Sequence, residues 1–184
     1  MKKLIFAPVA ALALAVGSSA CTETTGADTW ENYREWRESN NSWVLEQEGL
    51  LDENGDLFYT KIVPDWDKGS YVLMHWFNDR NETAGNLTPF VTSWISASYD
   101  LYLSTDVLVD TSEGLDDDVF TSQLSSLIKG WRIAMLEMHV GDTVQVVVPY
   151  LSGYGSVASG NVPPYSALRF NMRLKDIPGY EIRP

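Results

Sequence analysis

The stretch LIKGWRIAMLEMHVGDTVQVVV, residues 127–148, decides the fold of this chain. Apolar residues recur in its first half at steps of three and four, namely Ile128, Trp131, Met135 and Met138. This spacing predicts a short amphipathic helix over 127–138, closed by a turn at Gly141. The β-branched run from Thr143 to Val148 then predicts a buried strand.

Segments with strand character lie on both sides of this unit. We predict strands within 57–63, 71–77, 90–103 and 167–174, separated by an exposed polar loop at 78–86 and a Gly/Ser/Pro loop at 152–164. Strands dominate on either side of one short helix. The predicted fold class is therefore α+β, with an antiparallel sheet wrapped around that helix.

An extra helix is predicted before the first strand. Asp28 and Glu31 have the spacing of a capping box, apolar residues follow at roughly helical intervals as far as Val44, and Gly49 ends the segment. The sequence leaves three roles open for this helix: a spacer, a dimerisation element, or a cap packed on the domain.

The N-terminus has the pattern of a signal peptide. Lys2 and Lys3 precede an apolar run and a small-residue stretch, and Cys21, the only cysteine, follows. We expect residues 1–20 to be removed and Cys21 to be lipidated, although Ser18 stands where lipoproteins usually carry Leu. A soluble secreted protein is the alternative. Residues 21–56 would then be tether and helix, and 57–178 the main domain.

Composition excludes several classes of function. A net charge of −12 disfavours nucleic acid as a partner. Two histidines 64 residues apart and one cysteine at the leader boundary disfavour a catalytic triad or a zinc site. The acidic run at 113–118 is interpreted as a solvated loop rather than a calcium site. We expect no metal and no cofactor.

Four short motifs carry a resemblance to a known family. LIKGW at 127–131 is followed by MHVGD at 138–142, by Tyr154-Gly155 and by VPP at 162–164. This order and spacing resembles the FKBP family of peptidyl-prolyl cis-trans isomerases. Further matches are VDTS at 109–112, Tyr99 and Phe170, so the resemblance extends from about Ile95 to Ile177. It implies an FKBP-like sheet around the short helix.

The resemblance also implies a proline-binding pocket. Trp131 would form its floor, with Tyr99 and Phe170 as walls. Ile128 would donate its backbone N–H to the substrate, Tyr154 would donate a hydroxyl from the loop, and Asp110 would orient the substrate carbonyl. The residues expected to complete the substrate-binding surface are Val109, Leu127 and Val162.

Three departures from the family pattern bear on activity. Val109 stands where the family has Phe, no basic residue lies between Asp110 and Lys129, and the loop from Gly155 to Pro163 is about one residue short. Asp110 is therefore expected to be left to Tyr99 or to water.

The resemblance implies a peptidyl-prolyl isomerase. The leader and Cys21 imply that it belongs to the bacterial cell envelope, lipid-anchored and facing the periplasm or the cell surface. It would act on proline-containing polypeptides and assist the folding of exported proteins. One alternative is an FKBP-like peptide-binding or scaffold lipoprotein with weak or no catalysis. Another is a glycan-binding module that uses Trp66, Trp76 or Trp94, although their alternation suggests core positions.

Overall fold

The computed structural model describes residues 26–179, and these fold as one antiparallel sheet around a single core helix. The expected signal peptide and Cys21 lie outside the described residues. The helices are α1 Gly26–Asn32, α2 Arg34–Glu48, α3 Arg80–Thr83 and α4 Lys129–Leu136. The strands are β1 Thr60–Ile62, β2 Val72–Trp76, β3 Trp94–Leu103, β4 Leu108–Thr111, β5 Phe120–Gln123, β6 Thr143–Val148 and β7 Leu168–Asp176.

The sheet has the strand order β1-β2-β6-β7-β3-β4, and β5 shares the outer edge of β3 with β4. Every pairing is antiparallel. Phe170 on β7 lies opposite Val146 on β6 and Leu101 on β3, so three buried side chains form one row across the sheet. The strand that comes last in sequence thus occupies the centre of the sheet.

Alternation along β7 separates the two faces of the sheet. The side chains that point toward α4 are buried, namely Leu168, Phe170, Met172 and Leu174. Helix α4 approaches β6 so closely that a Cβ on Gly130 would lie 2.4 Å from Cγ1 of Val148. Only glycine fits at this crossing, because any side chain would overlap the valine.

A buried carboxylate anchors the turn between α4 and β6. Asp142 is fully buried and accepts hydrogen bonds from the His139 N–H (2.9 Å), from the Thr83 hydroxyl and from the Asn78 amide (3.0 Å). Burial acts to raise the pKa of Asp142, but these donors outweigh it and the pKa lies below the ordinary value. The turn is therefore hydrogen-bonded to the segment around α3, through Asn78 and Thr83.

The predicted α+β class is confirmed, and the differences are local. The expected N-terminal helix is two helices that meet at Tyr33, and the segment 78–86, expected as an exposed loop, contains α3. The strand expected from Phe90 begins at Trp94, and β4 and β5 were not predicted. Within residues 26–179, no helix is long and apolar enough to cross a membrane.

Candidate proline-binding pocket

A small open pocket of about 70 Å³ lies between α4 and the sheet. It brings together all six residues that were expected to be catalytic, and Leu127 as well. The lining residues are Tyr99, Leu101, Asp110, Phe120, Leu127, Ile128, Trp131, Tyr154 and Phe170. Val109 and Val162 line an adjoining cavity of about 250 Å³, which shares Asp110 and Tyr154 with the pocket.

Trp131 forms the floor, because three aromatic rings meet it edge to face. The ring centroids of Tyr99, Phe170 and Phe120 lie 5.3, 5.6 and 5.9 Å from that of Trp131. Such geometry is favourable because the positive edge of one ring faces the negative face of the other. Trp131 and Phe170 are only 4% and 2% exposed. The pocket therefore presents a closely packed and largely buried aromatic surface.

Tyr99 and Asp110 form the polar side of the pocket. The Tyr99 hydroxyl donates to Oδ2 of Asp110 at 2.8 Å, and the Thr111 N–H donates to Oδ1 at 3.0 Å. Burial raises the pKa of Tyr99, and the neighbouring carboxylate raises it further, so the hydroxyl stays protonated and remains a donor. Of the two expected partners of Asp110, Tyr99 or water, the structure shows Tyr99.

Ile128 supplies a backbone donor at the pocket edge. It precedes the first turn of α4, where helix N–H groups lack partners within the helix. Its carbonyl accepts from the Arg132 N–H, whereas its own N–H donates to no group of residues 26–179. The next residue fixes the helix start, since Lys129 Nζ donates to Asp67 Oδ2 (2.6 Å) and to Ser70 Oγ (2.8 Å).

The loop 153–166 forms the remaining wall, and we call it the pocket loop. It carries Tyr154 into the pocket and Val162 into the adjoining cavity. The Tyr165 N–H donates to the Gly155 carbonyl at 2.8 Å, which closes the loop at its base. Asn161 reaches back to the Val109 carbonyl at 3.5 Å.

Phe120 and Leu101 line the pocket but were not among the expected site residues. Leu101 shares the inward face of β3 with Tyr99, so strand alternation could have revealed it. Phe120 lies on β5, whose four residues Phe-Thr-Ser-Gln give little strand signal. An aromatic residue eight positions before Ile128 was the only cue in the sequence.

Other expected features have a plain structural outcome. The acidic residues at 113 and 116–118 are all exposed, and residues 26–179 hold no cluster of three or more side chains suited to a metal. The suggestion that the tryptophans alternate as core residues is wrong for Trp66 and Trp94, which are 51% and 53% exposed. They lie apart in the fold, Trp66 facing Arg132 and Trp94 opposite Gln123.

Residues 88–175 match the sequence model of the FKBP-type peptidyl-prolyl cis-trans isomerase family. The match covers 88 of the 184 residues, and over this segment the chain is similar to the FKBP family. FK506-binding protein 5 of Rhizopus delemar is 35% identical to the chain over 94 residues, 47% of this chain and 23% of that protein. The mouse protein named peptidyl-prolyl cis-trans isomerase FKBP14 is 38% identical over 58 residues, 32% and 28% of the two chains.

The chain thus spans about a quarter of the length of these relatives. Two solved bacterial structures share its fold. A peptidyl-prolyl cis-trans isomerase of Pseudomonas syringae has a TM-score of 0.63 at 17% identity, covering 79% of this chain and 95% of that one. FkpA of Escherichia coli has a TM-score of 0.54 at 18% identity, covering 83% and 60%. The expected FKBP-like fold is confirmed.

Proposed function

We propose that this protein is a peptidyl-prolyl cis-trans isomerase of the bacterial cell envelope that assists the folding of exported proteins. The observation that carries the proposal is the pocket itself. The cavity is small, and in an FKBP domain it is faced by the aromatic floor at Trp131, the Tyr99–Asp110 pair, and an Ile128 N–H that has no partner among residues 26–179. These features suit a proline ring and its preceding carbonyl.

Isomerisation needs rotation about a bond rather than its cleavage. The planar X-Pro amide is stabilised by resonance that separates charge between oxygen and nitrogen, and the rotation barrier is about 18–20 kcal/mol. A dry aromatic pocket solvates this charge separation poorly and so favours the twisted amide relative to the planar one. The chemistry requires no nucleophile, in keeping with the residues that line the pocket.

Six of the nine residues that line the pocket have a defined role in this mechanism. Trp131 and Phe170 bury the proline ring, and the Ile128 N–H donates to a substrate carbonyl, which fixes the peptide against the edge of α4. Tyr99 holds the Asp110 carboxylate beside the amide that rotates. Tyr154, which belongs to the pocket loop, closes the opposite side of the pocket. Specific positioning of a rotating peptide in this way lowers its barrier.

The envelope location rests on the leader sequence and on Cys21. The basic start, the apolar run and the cysteine at position 21 support export followed by lipid attachment. Incorporation of labelled palmitate that is lost in Cys21→Ala is the expected result. A chain that is exported but takes up no label would instead be a soluble secreted protein.

Activity is tested with a short X-Pro peptide. Its rate of cis-to-trans exchange is measured by exchange NMR in the presence of the purified protein or one of its variants. Asp110→Ala and Tyr99→Ala should abolish the acceleration, because they remove the polar side of the pocket. Asp100→Ala is the matched control. Asp100 is an acid on the same strand as Tyr99, and its carboxylate accepts a hydrogen bond from the Thr111 hydroxyl outside the pocket. A folded wild type with no acceleration would refute the isomerase proposal.

A second candidate is a peptide-binding FKBP domain without catalysis. Val109 removes an aromatic ring that the family resemblance implies, and no arginine or lysine pairs with Asp110 among residues 26–179. Binding of the same peptide without faster exchange would support this candidate.

A further inference from the structure

Helix α2 contacts the chain at the point where the pocket loop rejoins the sheet. The loop ends at Ser166, and β7 begins two residues later at Leu168. Trp36 and Asn40 lie one helical turn apart on α2 and both face this junction. Helix α2 is therefore connected to the pocket through hydrogen bonds to Ser166 and Ala167.

Trp36 reaches the loop through its indole nitrogen. The Nε1–H donates to Oγ of Ser166 at 3.1 Å, and that hydroxyl donates in turn to the Pro163 carbonyl at 2.8 Å. The relay thus begins on α2 and ends inside the pocket loop, one residue from Val162. The Trp36 ring also packs against the main core.

Asn40 fastens the same junction from the next turn of α2. It is only 1% exposed, and its Oδ1 accepts from the Ala167 N–H at 2.8 Å and from the Ser104 hydroxyl at 3.0 Å. Its Nδ2 donates to the Trp36 carbonyl at 2.8 Å. A buried amide with these partners holds the start of β7 and the end of β3 in fixed relation to the helix.

Tyr165, at the base of the pocket loop, adopts a conformation that needs outside support. Its φ is +60°, a left-handed value that is uncommon for a large side chain. The Tyr165 ring meets Trp30 edge to face at 5.5 Å, and the guanidinium of Arg37 lies 3.2 Å from the centroid of Trp30. The N-terminal helices therefore pack against this residue together with the Tyr150 ring, whose centroid lies 5.6 Å away, and the Tyr165 N–H closes the loop onto Gly155.

We infer that helix α2 holds the pocket loop in place, with Trp36 and Asn40 as positioning residues that act on the pocket through Ser166 and Ala167. Loosening the junction frees Tyr154 and Val162 without touching the aromatic floor. The consequence for turnover rests on the proposed isomerase activity, whereas the consequence for loop order does not.

The test compares Trp36→Phe with Trp43→Phe. Both substitutions shorten a tryptophan on α2. Trp43 packs against a second hydrophobic cluster, which holds Tyr59, Leu73 and Ala167, but only Trp36 donates a hydrogen bond to Ser166 within residues 26–179. We measure hydrogen exchange at the amides of Tyr165 and Ala167, the thermal midpoint, and the kcat and KM for an X-Pro peptide. Affinity for the same peptide is measured in parallel.

Trp36→Phe should speed exchange at both amides about fivefold, the change expected on loss of one hydrogen bond, and should raise KM by a similar factor with kcat nearly unchanged. Trp43→Phe should leave exchange at the Tyr165 amide, and KM, at wild-type values, since only Ala167 of the two amides belongs to the cluster that Trp43 contacts. Unchanged loop exchange in Trp36→Phe, or an equal increase in both variants, overturns the inference. A lower thermal midpoint with unchanged loop exchange also overturns it, since the helix would then be only a structural support.

A wild-type protein that does not accelerate cis-to-trans exchange of the X-Pro peptide refutes the proposed function but leaves the inference about α2 standing. Hydrogen exchange of the loop and peptide affinity then decide the inference by themselves. Trp36→Phe should bind the peptide more weakly than wild type, and equal binding by the two proteins would overturn the inference.

Discussion

The close crossing of α4 over β6 at Gly130 yields a prediction with a magnitude. In Gly130→Ala the new Cβ would lie 2.4 Å from Cγ1 and 2.8 Å from Cγ2 of Val148. Carbon atoms in contact prefer separations of about 3.5–4.0 Å, so the helix or the valine must move by about 1 Å. The helix carries Trp131 and begins directly after Ile128, so this movement reaches the pocket.

Two opposing contributions set the size of the effect. Overpacking a close-packed core costs about 1–3 kcal/mol, whereas replacing glycine by alanine within a helix gains about 0.5–1 kcal/mol. We therefore expect Gly130→Ala to lower the free energy of unfolding by about 1–2 kcal/mol. Val148→Ala removes two buried methyl groups, and with its cavity this costs about 2–3 kcal/mol.

The double variant isolates the contact. With Val148 shortened, the atoms nearest the new methyl group are gone, and that methyl fills part of the cavity. The destabilisation of the pair should be smaller than the sum of the single changes by about 1–2 kcal/mol, within the range found for residues in contact. Urea unfolding of the four proteins measures this. Stabilisation by Gly130→Ala alone, or additivity within about 0.5 kcal/mol, would refute the reasoning.

Three further predictions follow from individual contacts. Tyr99→Phe removes the donor to Asp110 and should lower kcat/KM about tenfold in the peptide assay, while an unchanged value would exclude a role for that hydrogen bond. The pKa of Asp142 is depressed by folding, so its contribution to stability is present above the ordinary value of 3.8 and is lost as pH falls through the folded pKa. Asp142→Asn should therefore be less stable at pH 7, and urea titrations between pH 7 and 2.5 should show a shallower acid loss than wild type. Lys129→Met should lower the thermal midpoint more than Lys68→Met, since both ion pairs are 2.6 Å long but only the first is half-buried, and equal effects would contradict this.

The helix and the strand beside the pocket could be predicted from the sequence because their signal is local, whereas the role of Trp131 as the pocket floor was implied by the family resemblance. The helical spacing around Trp131 and the β-branched run after Gly141 each lie within one short window, and α4 and β6 were predicted from them. Phe120 was missed for the opposite reason. The four residues of β5 have weak strand preference, and they form a strand because β3 offers them a free edge.

The role of α2 could not be predicted because it depends on distant partners. Asn40 is polar and lies in a polar stretch, which predicts exposure, yet it is buried against Ala167 and Ser104. Sequence periodicity predicts that a helix is present but not which residues far along the chain it contacts.

The central position of β7 has a consequence for how the protein is made. β7 lies between β6 and β3, so the half of the sheet that holds β1, β2 and β6 meets the half that holds β3, β4 and β5 only through residues 168–176. A chain emerging from a ribosome or a translocon therefore cannot close its sheet until Asp176 has passed. Until then two long strand edges stay open to aggregation, and the high contact order of the finished sheet makes folding slow. A protein proposed to fold others would itself depend on protection during its own synthesis.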